Sequence, residues 1–248
     1  MEEMESSKDL ISVLWSGADI LRSKMDANEY KDYLLGIVFY KYLSDSFLIK
    51  VYDLLYDEKP ATLKEALEAY KEALEDESAE ELKGQLSEEC HYVMEPELTY
   101  TYFADTARNN SFNREQLQKG FNNIEQSDPI FADLFTDIDL YSNRLGAGDQ
   151  KQSDTVASLI KEIDKADLLN SDAEILGNAY EYLIGQFASE TGKKAGEFYT
   201  PQAVSKILTK IAISGQEDKK GLQVYDPCMG SGSLMLSCKN YAKEPDYI

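Results

Sequence analysis

The stretches GEFYTPQAVSKILTKI at residues 196–211 and LQVYDPCMGSGSLML at residues 222–236 decide the fold of this chain. In the second stretch a short apolar run, Leu222–Tyr225, stops at Asp226-Pro227, enters a glycine-rich turn and restarts with helical spacing. A strand, a glycine turn and a helix in this order let backbone N–H groups approach a ligand at the positive end of a helix. The sequence therefore predicts a ligand-binding βα turn.

The first stretch predicts an amphipathic helix ahead of that turn. Thr200 followed by Pro201 is typical of a helix N-cap and first helical position, because the hydroxyl accepts from free N–H groups and the proline ring presets φ. Apolar residues then recur with helical spacing, at Val204, Ile207, Leu208 and Ile211. We expect this apolar face to pack inward.

The turn matches neither of two common phosphate-binding motifs. Without a Gly-Lys-Ser/Thr sequence it is unlike a nucleoside triphosphate P-loop, and Met235 occupies the third glycine position of a dinucleotide GxGxxG motif. Gly230 and Gly232 permit positive φ and leave the backbone open to a ligand. Asp226, at the end of the strand, can accept a hydrogen bond from an amine. A glycine turn in an ordinary α/β protein stays open as the alternative.

Everything before this region predicts an all-α domain. Within it, Tyr100–Phe103 has strand-like composition, with an extended packing segment as the alternative. Apolar helical spacing occurs in segments near residues 7–24, 28–55, 63–74, 78–93, 114–124 and 156–163. A further capping pattern at Ser171 predicts a connecting helix. We expect a helical domain at residues 1–170, and a connecting helix with the beginning of a second domain at residues 171–248.

The charge is unevenly distributed. Residues 1–190 hold 17 Lys+Arg against 40 Asp+Glu, a formal charge of −23, whereas residues 191–248 hold 8 against 6. Because residues 1–190 are so acidic, they repel a phosphate backbone. Any attraction to DNA must therefore come from a basic partner or from a local basic patch. The alternative is that the acidic helices are simply solvated.

Composition also limits where the protein works. The acidic start Met1–Glu5 lacks the basic region of a signal peptide, and the longest apolar run near it, Tyr33–Tyr40, is too short for a membrane span. The cysteines have neither disulfide nor metal-ligand spacing. We expect a cytoplasmic protein without a membrane segment or a metal site.

The segments EFYTP (197–201) and DPCMGSG (226–232) resemble motifs X and I of amino-group DNA methyltransferases. The wider stretch ILGNAYEYLIGQFASETGKKAGEFYTP, residues 175–201, resembles the methylation (M) subunit of type I restriction-modification systems. The likeness runs from about Asp172 to Leu236. It implies an α + α/β fold, in which an all-α domain precedes a Rossmann-like domain that binds S-adenosyl-L-methionine.

The resemblance also implies the residues of the cofactor site. The positions matching motif X, which lies along the cofactor, are Glu197, Phe198, Tyr199, Thr200, Pro201 and Gln202. The positions matching motif I, whose turn holds the methionine and ribose end, are Asp226, Pro227, Gly230, Ser231 and Gly232. A carboxylate and helix-end N–H groups suit a zwitterionic amino acid beside a sulfonium.

The activity implied is methyl transfer to N6 of adenine in a specific DNA sequence, after the base is flipped out. The partners implied are a DNA-reading specificity subunit, a second methylation subunit and a restriction subunit, with double-stranded DNA bound mainly through the complex. The family's catalytic Asn-Pro-Pro-aromatic sequence does not occur in this chain. We therefore expect a domain truncated after its first strand and helix, with a second strand starting at Asp246. We also expect this chain alone to be inactive, with no catalytic residue of its own.

Two other functions remain open. The chain could be a non-enzymatic helical assembly module whose methyltransferase segment is vestigial, which binding of S-adenosyl-L-methionine would contradict. It could also belong to a methyltransferase for protein or another nucleic acid, which the residues at the Asn-Pro-Pro-aromatic position would decide.

Overall fold

The computed structural model describes residues 2–166, 200, 202–229 and 232–247. The chain divides into two compact units, Met1–Leu176 and Gly177–Ile248, and each is described by itself. The boundary expected between residues 170 and 171 lies outside the described residues and stays a prediction, as does the connecting helix after Ser171.

The described part of the first unit is built from α-helices. In chain order they are α1 (Glu2–Arg22), α2 (Ala27–Tyr56), α3 (Leu63–Ala73), α4 (Ala79–Cys90), α5 (Tyr100–Arg108), α6 (Arg114–Ser127) and α7 (Asp149–Ile163). Short 3-10 turns at Pro96–Leu98 and Pro129–Phe131 join some of them. The prediction of an all-α first domain is confirmed.

Helix α2 is the central element of this unit, because α1, α3, α4, α5 and α7 all pack against it. Its aromatic side chains form much of the core. Tyr40 lies edge-on to Phe121 and Phe135, and those two rings stack on each other with centroids 4.3 Å apart. Burial of so many large side chains is the main favourable contribution to folding of this unit.

The core also contains an ion pair. Lys41 and Asp45, one turn apart on α2, lie with Nζ and Oδ2 2.6 Å apart, and each side chain is 2% exposed. The Lys41 ammonium also lies 5.1 Å from the ring centroid of Tyr100, whose hydroxyl donates to the Ile160 carbonyl. This polar cluster therefore connects α2, α5 and α7 inside an otherwise apolar core.

A buried arginine holds the long loop between α6 and α7. Arg114, at the start of α6, donates to Gln152 and to Asp149 on α7 and stacks 4.4 Å from the Tyr141 ring centroid in the loop. Gln152 in turn donates to the Tyr141 carbonyl at 3.1 Å. A planar guanidinium with several donors can make all these contacts at once.

The segment Tyr100–Phe103 is helical, so the strand interpretation and the extended-segment alternative were both wrong. Thr99 caps α5 by accepting from the Tyr102 N–H, and the residues at helical spacing along one face are buried. That face consists of Tyr100, Phe103, Ala104 and Ala107. Packing against α2 and α7 outweighs the modest preference of aromatic residues for strands.

The described part of the second unit is a small α/β arrangement. It contains α8 (Gln202–Ile213), β1 (Lys220–Val224), the four-residue helix α9 (Ser233–Leu236), a 3-10 turn at Ser237–Asn240, and β2 (Glu244–Tyr247). The two strands pair in parallel with an irregularity at Gly221, whose φ of 63° suits a bulge. The predicted strand and helix are confirmed, and of the predicted turn Gly232 is described with a φ of 78°, whereas Gly230 and Ser231 lie outside the described residues.

The second strand extends the arrangement beyond what was expected. We expected a single complete strand, with a second one starting at Asp246. In the structure β2 already begins at Glu244, and Val224 lies opposite Tyr247 in the register. The connection through α9 is long enough to return the chain for parallel pairing. A core of Ile213, Cys238 and Ala242, with Leu222, Val224 and Tyr241 packed against it, lies beside this sheet.

Candidate cofactor-binding turn

The carboxyl end of β1 leads directly into the predicted ligand turn. Leu222 and Val224 are half-buried, whereas Tyr225 is 70% exposed. Asp226 follows, and its Oδ1 accepts a hydrogen bond from the Cys228 N–H at 2.9 Å. This is the local bond by which an aspartate mimics a backbone turn. The chain therefore bends sharply at the strand end, the edge where open α/β sheets bind ligands.

The turn ends at a glycine that needs its conformational freedom. Gly232 has a φ of 78°, and its carbonyl accepts from the Leu236 N–H at 2.9 Å, which begins helix α9. A residue with a Cβ would be strained at this φ. The exposed side chain of Met229 lies close to Gly232: a Cβ added at Gly232 would be 3.7 Å from the Met229 sulfur.

The predicted cofactor-binding residues fall into two groups. Asp226, Pro227 and Gly232 lie together in the described turn, and Thr200 and Gln202 lie at the amino end of α8. The remaining positions lie outside the described residues; they are Glu197, Phe198, Tyr199, Pro201, Gly230 and Ser231. Helix α8, which follows the motif X segment, packs against α9, which follows the motif I turn. The cofactor role of all these positions stays a prediction.

The face of α8 expected to pack inward is instead exposed. Ile207 is 59% exposed and Ile211 68%, and Val204 and Leu208 on the same stripe are nearly half exposed. The buried residues of the helix are Ser205, Thr209 and Ile213, which recur every four residues on another face. These small hydroxyl side chains let α8 lie close to α9 and the 3-10 turn. The prediction that the apolar face of α8 packs inward was therefore wrong.

A buried cysteine meets that hydroxyl face. Cys238 is 6% exposed. Burial raises the pKa of its thiol, and the Thr209 hydroxyl opposes this with a smaller effect. A thiol held protonated in this way packs as a small apolar group. By contrast Cys228, in the turn, is exposed.

A cavity of about 470 Å³ runs along β1, and the sequence did not indicate it. Its walls include Ile213 and Gln216 from the α8 end and Leu222, Val224 and Tyr225 from the strand. None of the predicted cofactor residues that the structure describes lines this cavity. Tyr225, beside Asp226, is the point where the cavity and the turn meet.

These observations define a class of protein in which an acidic, all-α domain precedes a parallel α/β segment with a glycine-containing turn after its first strand. Residues 10–163 match the family model described as HsdM N-terminal domain, and residues 171–247 match the model described as N-6 DNA Methylase. The chain therefore belongs to the HsdM family, the methylase subunits of type I restriction-modification systems. The resemblance and the fold class inferred from the sequence are both confirmed.

Individual relatives agree with this assignment. The chain is 30% identical to the type I restriction enzyme MpnII methylase subunit of Mycoplasma pneumoniae, over 90% of this chain and 42% of that protein. It is 29% identical to the MjaVIII methylase subunit of Methanocaldococcus jannaschii, over 97% of this chain and 37% of that protein.

A solved structure is also similar. The crystal structure of the type I restriction-modification system methyltransferase subunit from Streptococcus thermophilus superposes with a TM-score of 0.89 at 50% identity. The alignment covers 98% of this chain and 52% of that one. The chain thus spans about half the length of this relative, and less than half of the two curated relatives.

The described residues contain neither a membrane-spanning helix nor a cluster of metal ligands. None of the helices there is both long and apolar enough to cross a membrane. Likewise, the described ranges hold no group of three or more His, Cys, Asp or Glu side chains that could bind a metal ion.

Proposed function

We propose that this chain supplies the helical domain and part of the S-adenosyl-L-methionine site of a type I methylation subunit, which methylates N6 of adenine in a specific DNA sequence. Family membership supports the use of this cofactor. The observation that carries the proposal is the turn after β1, where a carboxylate, a positive-φ glycine and the start of a helix follow one another at the carboxyl end of a parallel strand.

The chemistry of the turn fits the amino-acid end of this cofactor. The Asp226 side chain bonds the backbone through Oδ1, and within the described residues no other hydrogen bond to it occurs, so Oδ2 remains able to accept from an ammonium group. Gly232 leaves the backbone accessible at the start of α9. When bound, S-adenosyl-L-methionine supplies an activated methyl group. The role of this chain is to orient the cofactor, because it has no Asn-Pro-Pro-aromatic sequence to hold the target base.

The charge distribution supports a division of labour in DNA binding. The −23 charge of residues 1–190 opposes close contact between the helical domain and a phosphate backbone. We propose that a specificity subunit reads the DNA sequence, and that a second methylation subunit and a restriction subunit complete the assembly. Double-stranded DNA is then held mainly through the complex.

Titration of the purified chain with S-adenosyl-L-methionine, by calorimetry and by ligand-observed NMR, tests the cofactor site. Two glycine variants make a matched pair. Gly232 and Gly215 have nearly equal positive φ angles, 78° and 76°, so alanine strains the backbone similarly at both positions. Only Gly232 lies in the turn, whereas a Cβ at Gly215 would meet nothing within 4 Å.

We expect Gly232→Ala to weaken cofactor binding by about tenfold or more, which corresponds to about 1.4 kcal/mol. Gly215→Ala should bind like the wild type. Equal weakening in both variants would mean that general loosening of the unit, and not the turn, controls binding. If the wild-type chain gives neither heat nor an NMR signal, this part of the site does not bind the cofactor by itself. The same result from a chain extended past residue 248 would favour the vestigial module.

A further inference from the structure

The bond between Asp226 and Cys228 gives the aspartate a second task beside contacting a ligand. Pro227 stands between them and has no N–H, so the Cys228 N–H is the first backbone donor after Asp226. The Asp226 Oδ1 accepts a hydrogen bond from this N–H at 2.9 Å. The proline ring also fixes φ at the intervening residue. The first bend of the turn is therefore held from two sides before any ligand arrives.

Little else in the described residues holds this bend. Pro227, Cys228 and Met229 are all exposed, so packing restrains them weakly. Among the described residues, Cys228 is the hydrogen-bond partner of the Asp226 side chain. Loss of that one hydrogen bond would leave the backbone of the turn less ordered at the position where the ligand is proposed to bind. Ordering a flexible loop on binding reduces affinity, whereas a preformed loop avoids that cost.

We propose that Asp226 is a positioning residue as well as a ligand contact: through Oδ1 it fixes the Cys228 backbone and so presets the turn, and it leaves Oδ2 for the cofactor's ammonium group. This proposal rests on the proposed function, because it takes S-adenosyl-L-methionine as the ligand of the turn. It divides the two carboxylate oxygens between two tasks, and substitutions can separate those tasks.

Two variants of Asp226 make the separation. Asp226→Asn keeps an oxygen that can accept from the Cys228 N–H but replaces the second oxygen by an amide NH₂, which cannot accept from an ammonium. Asp226→Ala removes both. Asp218→Ala is the matched control, because it removes one exposed carboxylate ahead of β1, paired only loosely with Lys243 at 3.3 Å, and leaves the turn untouched.

The first measurement is hydrogen exchange at the Cys228 amide in the full chain without ligand. We expect exchange in Asp226→Ala to be about fivefold faster than in the wild type, the effect of losing one hydrogen bond of ordinary strength. Asp226→Asn and the Asp218→Ala control should exchange at nearly the wild-type rate. Wild-type exchange in Asp226→Ala would overturn the proposal, because the bond would then not order the turn.

The second measurement compares S-adenosyl-L-methionine with 5′-methylthioadenosine, which lacks the amino-acid part. We expect Asp226→Asn to weaken binding of S-adenosyl-L-methionine by about tenfold and to bind 5′-methylthioadenosine within twofold of the wild type. Asp226→Ala should weaken both ligands. Rescue of 5′-methylthioadenosine binding by asparagine but not by alanine is a result that a charge contact alone would not produce.

The outcomes distinguish this proposal from the proposed function. Equal loss of 5′-methylthioadenosine binding in the asparagine and alanine variants would overturn the positioning role while leaving the cofactor site intact. If neither the wild-type chain nor a chain extended past residue 248 binds either nucleoside, the proposed function fails, and the exchange rates alone decide whether Asp226 orders the turn.

Discussion

Removal of one member of the buried ion pair in α2 should cost more free energy of unfolding than removal of both. Lys41 and Asp45 are each 2% exposed and 2.6 Å apart. At an effective dielectric constant of about 20 their attraction is about 6 kcal/mol, whereas each ion loses several kcal/mol of hydration. The pair as a whole therefore contributes little, but removal of one partner is strongly unfavourable, because the remaining buried charge loses that attraction and keeps its cost of dehydration.

The expected magnitudes follow from that balance. Lys41→Met alone removes the ammonium that lies 2.6 Å from the buried Asp45 carboxylate and beside the Tyr100 ring, so we expect a loss of about 3–5 kcal/mol. Asp45→Leu alone should cost a similar amount. The double variant should lie within about 2 kcal/mol of the wild type, because two apolar side chains of similar size replace the pair.

Urea unfolding followed by tryptophan fluorescence measures these changes in the first unit, since Trp15 on α1 is the sole tryptophan of the chain. Lys71→Met is the control: Lys71 pairs with Glu68 at 2.8 Å on the surface, and its loss should cost less than about 1 kcal/mol. A loss in Lys41→Met no larger than in the control, or a loss in the double variant equal to the sum of the two single losses, would contradict this energy balance.

Three further predictions follow from burial. In urea unfolding, Gly84→Ala should stabilise the first unit by about 0.5–1 kcal/mol, because a Cβ at this helical position would meet no atom within 4 Å. Gly120→Ala should destabilise the same unit by about 1–3 kcal/mol, because its Cβ would collide with the Tyr40 hydroxyl. Ile211→Ala should barely change the thermal stability of the second unit, whereas Ile213→Ala should cost about 2–5 kcal/mol, because the Ile213 side chain is only 4% exposed. Equal losses would mean that the apolar face of α8 is buried. Burial raises the pKa of a group of tyrosines above the usual 10. Their contribution to the free energy of unfolding should therefore be fully present below pH 10 and fall as the pH rises towards their folded-state pKa values. Absorbance titration near 295 nm should show these residues un-ionised until the protein unfolds, and ionisation at pH 10 in the folded state would contradict this. These tyrosines are Tyr40, Tyr70, Tyr92 and Tyr100.

Much of the fold could be predicted because it depends on local patterns. Apolar residues three and four apart predicted both ends of α2 closely. They also predicted the carboxyl end of α7, although that helix begins at Asp149, seven residues before the predicted start. The run Leu222–Tyr225 predicted the strand within a residue or two, and the glycines after Asp226 predicted the turn. The order of the two short motifs was specific enough to indicate the family, which the comparisons confirmed.

The errors share a physical cause. Helical spacing shows that α8 has an apolar face but not what lies beside it, and in the structure the hydroxyl face of Ser205 and Thr209 is the buried one. The aromatic composition of Tyr100–Phe103 suits a strand in isolation, yet α2 and α7 provide surfaces that a helix fits better. In both places contacts between residues distant in sequence decided the result.

The sequence by itself determined the helical class of the first unit, the βα turn and the family, because each follows from residues close together in the chain. Only the tertiary structure decided that Lys41 and Asp45 pair inside the core, that β2 aligns Tyr247 with Val224, and that Asp226 bonds the Cys228 backbone. Burial and strand register depend on which surfaces meet, and a linear pattern does not contain that information.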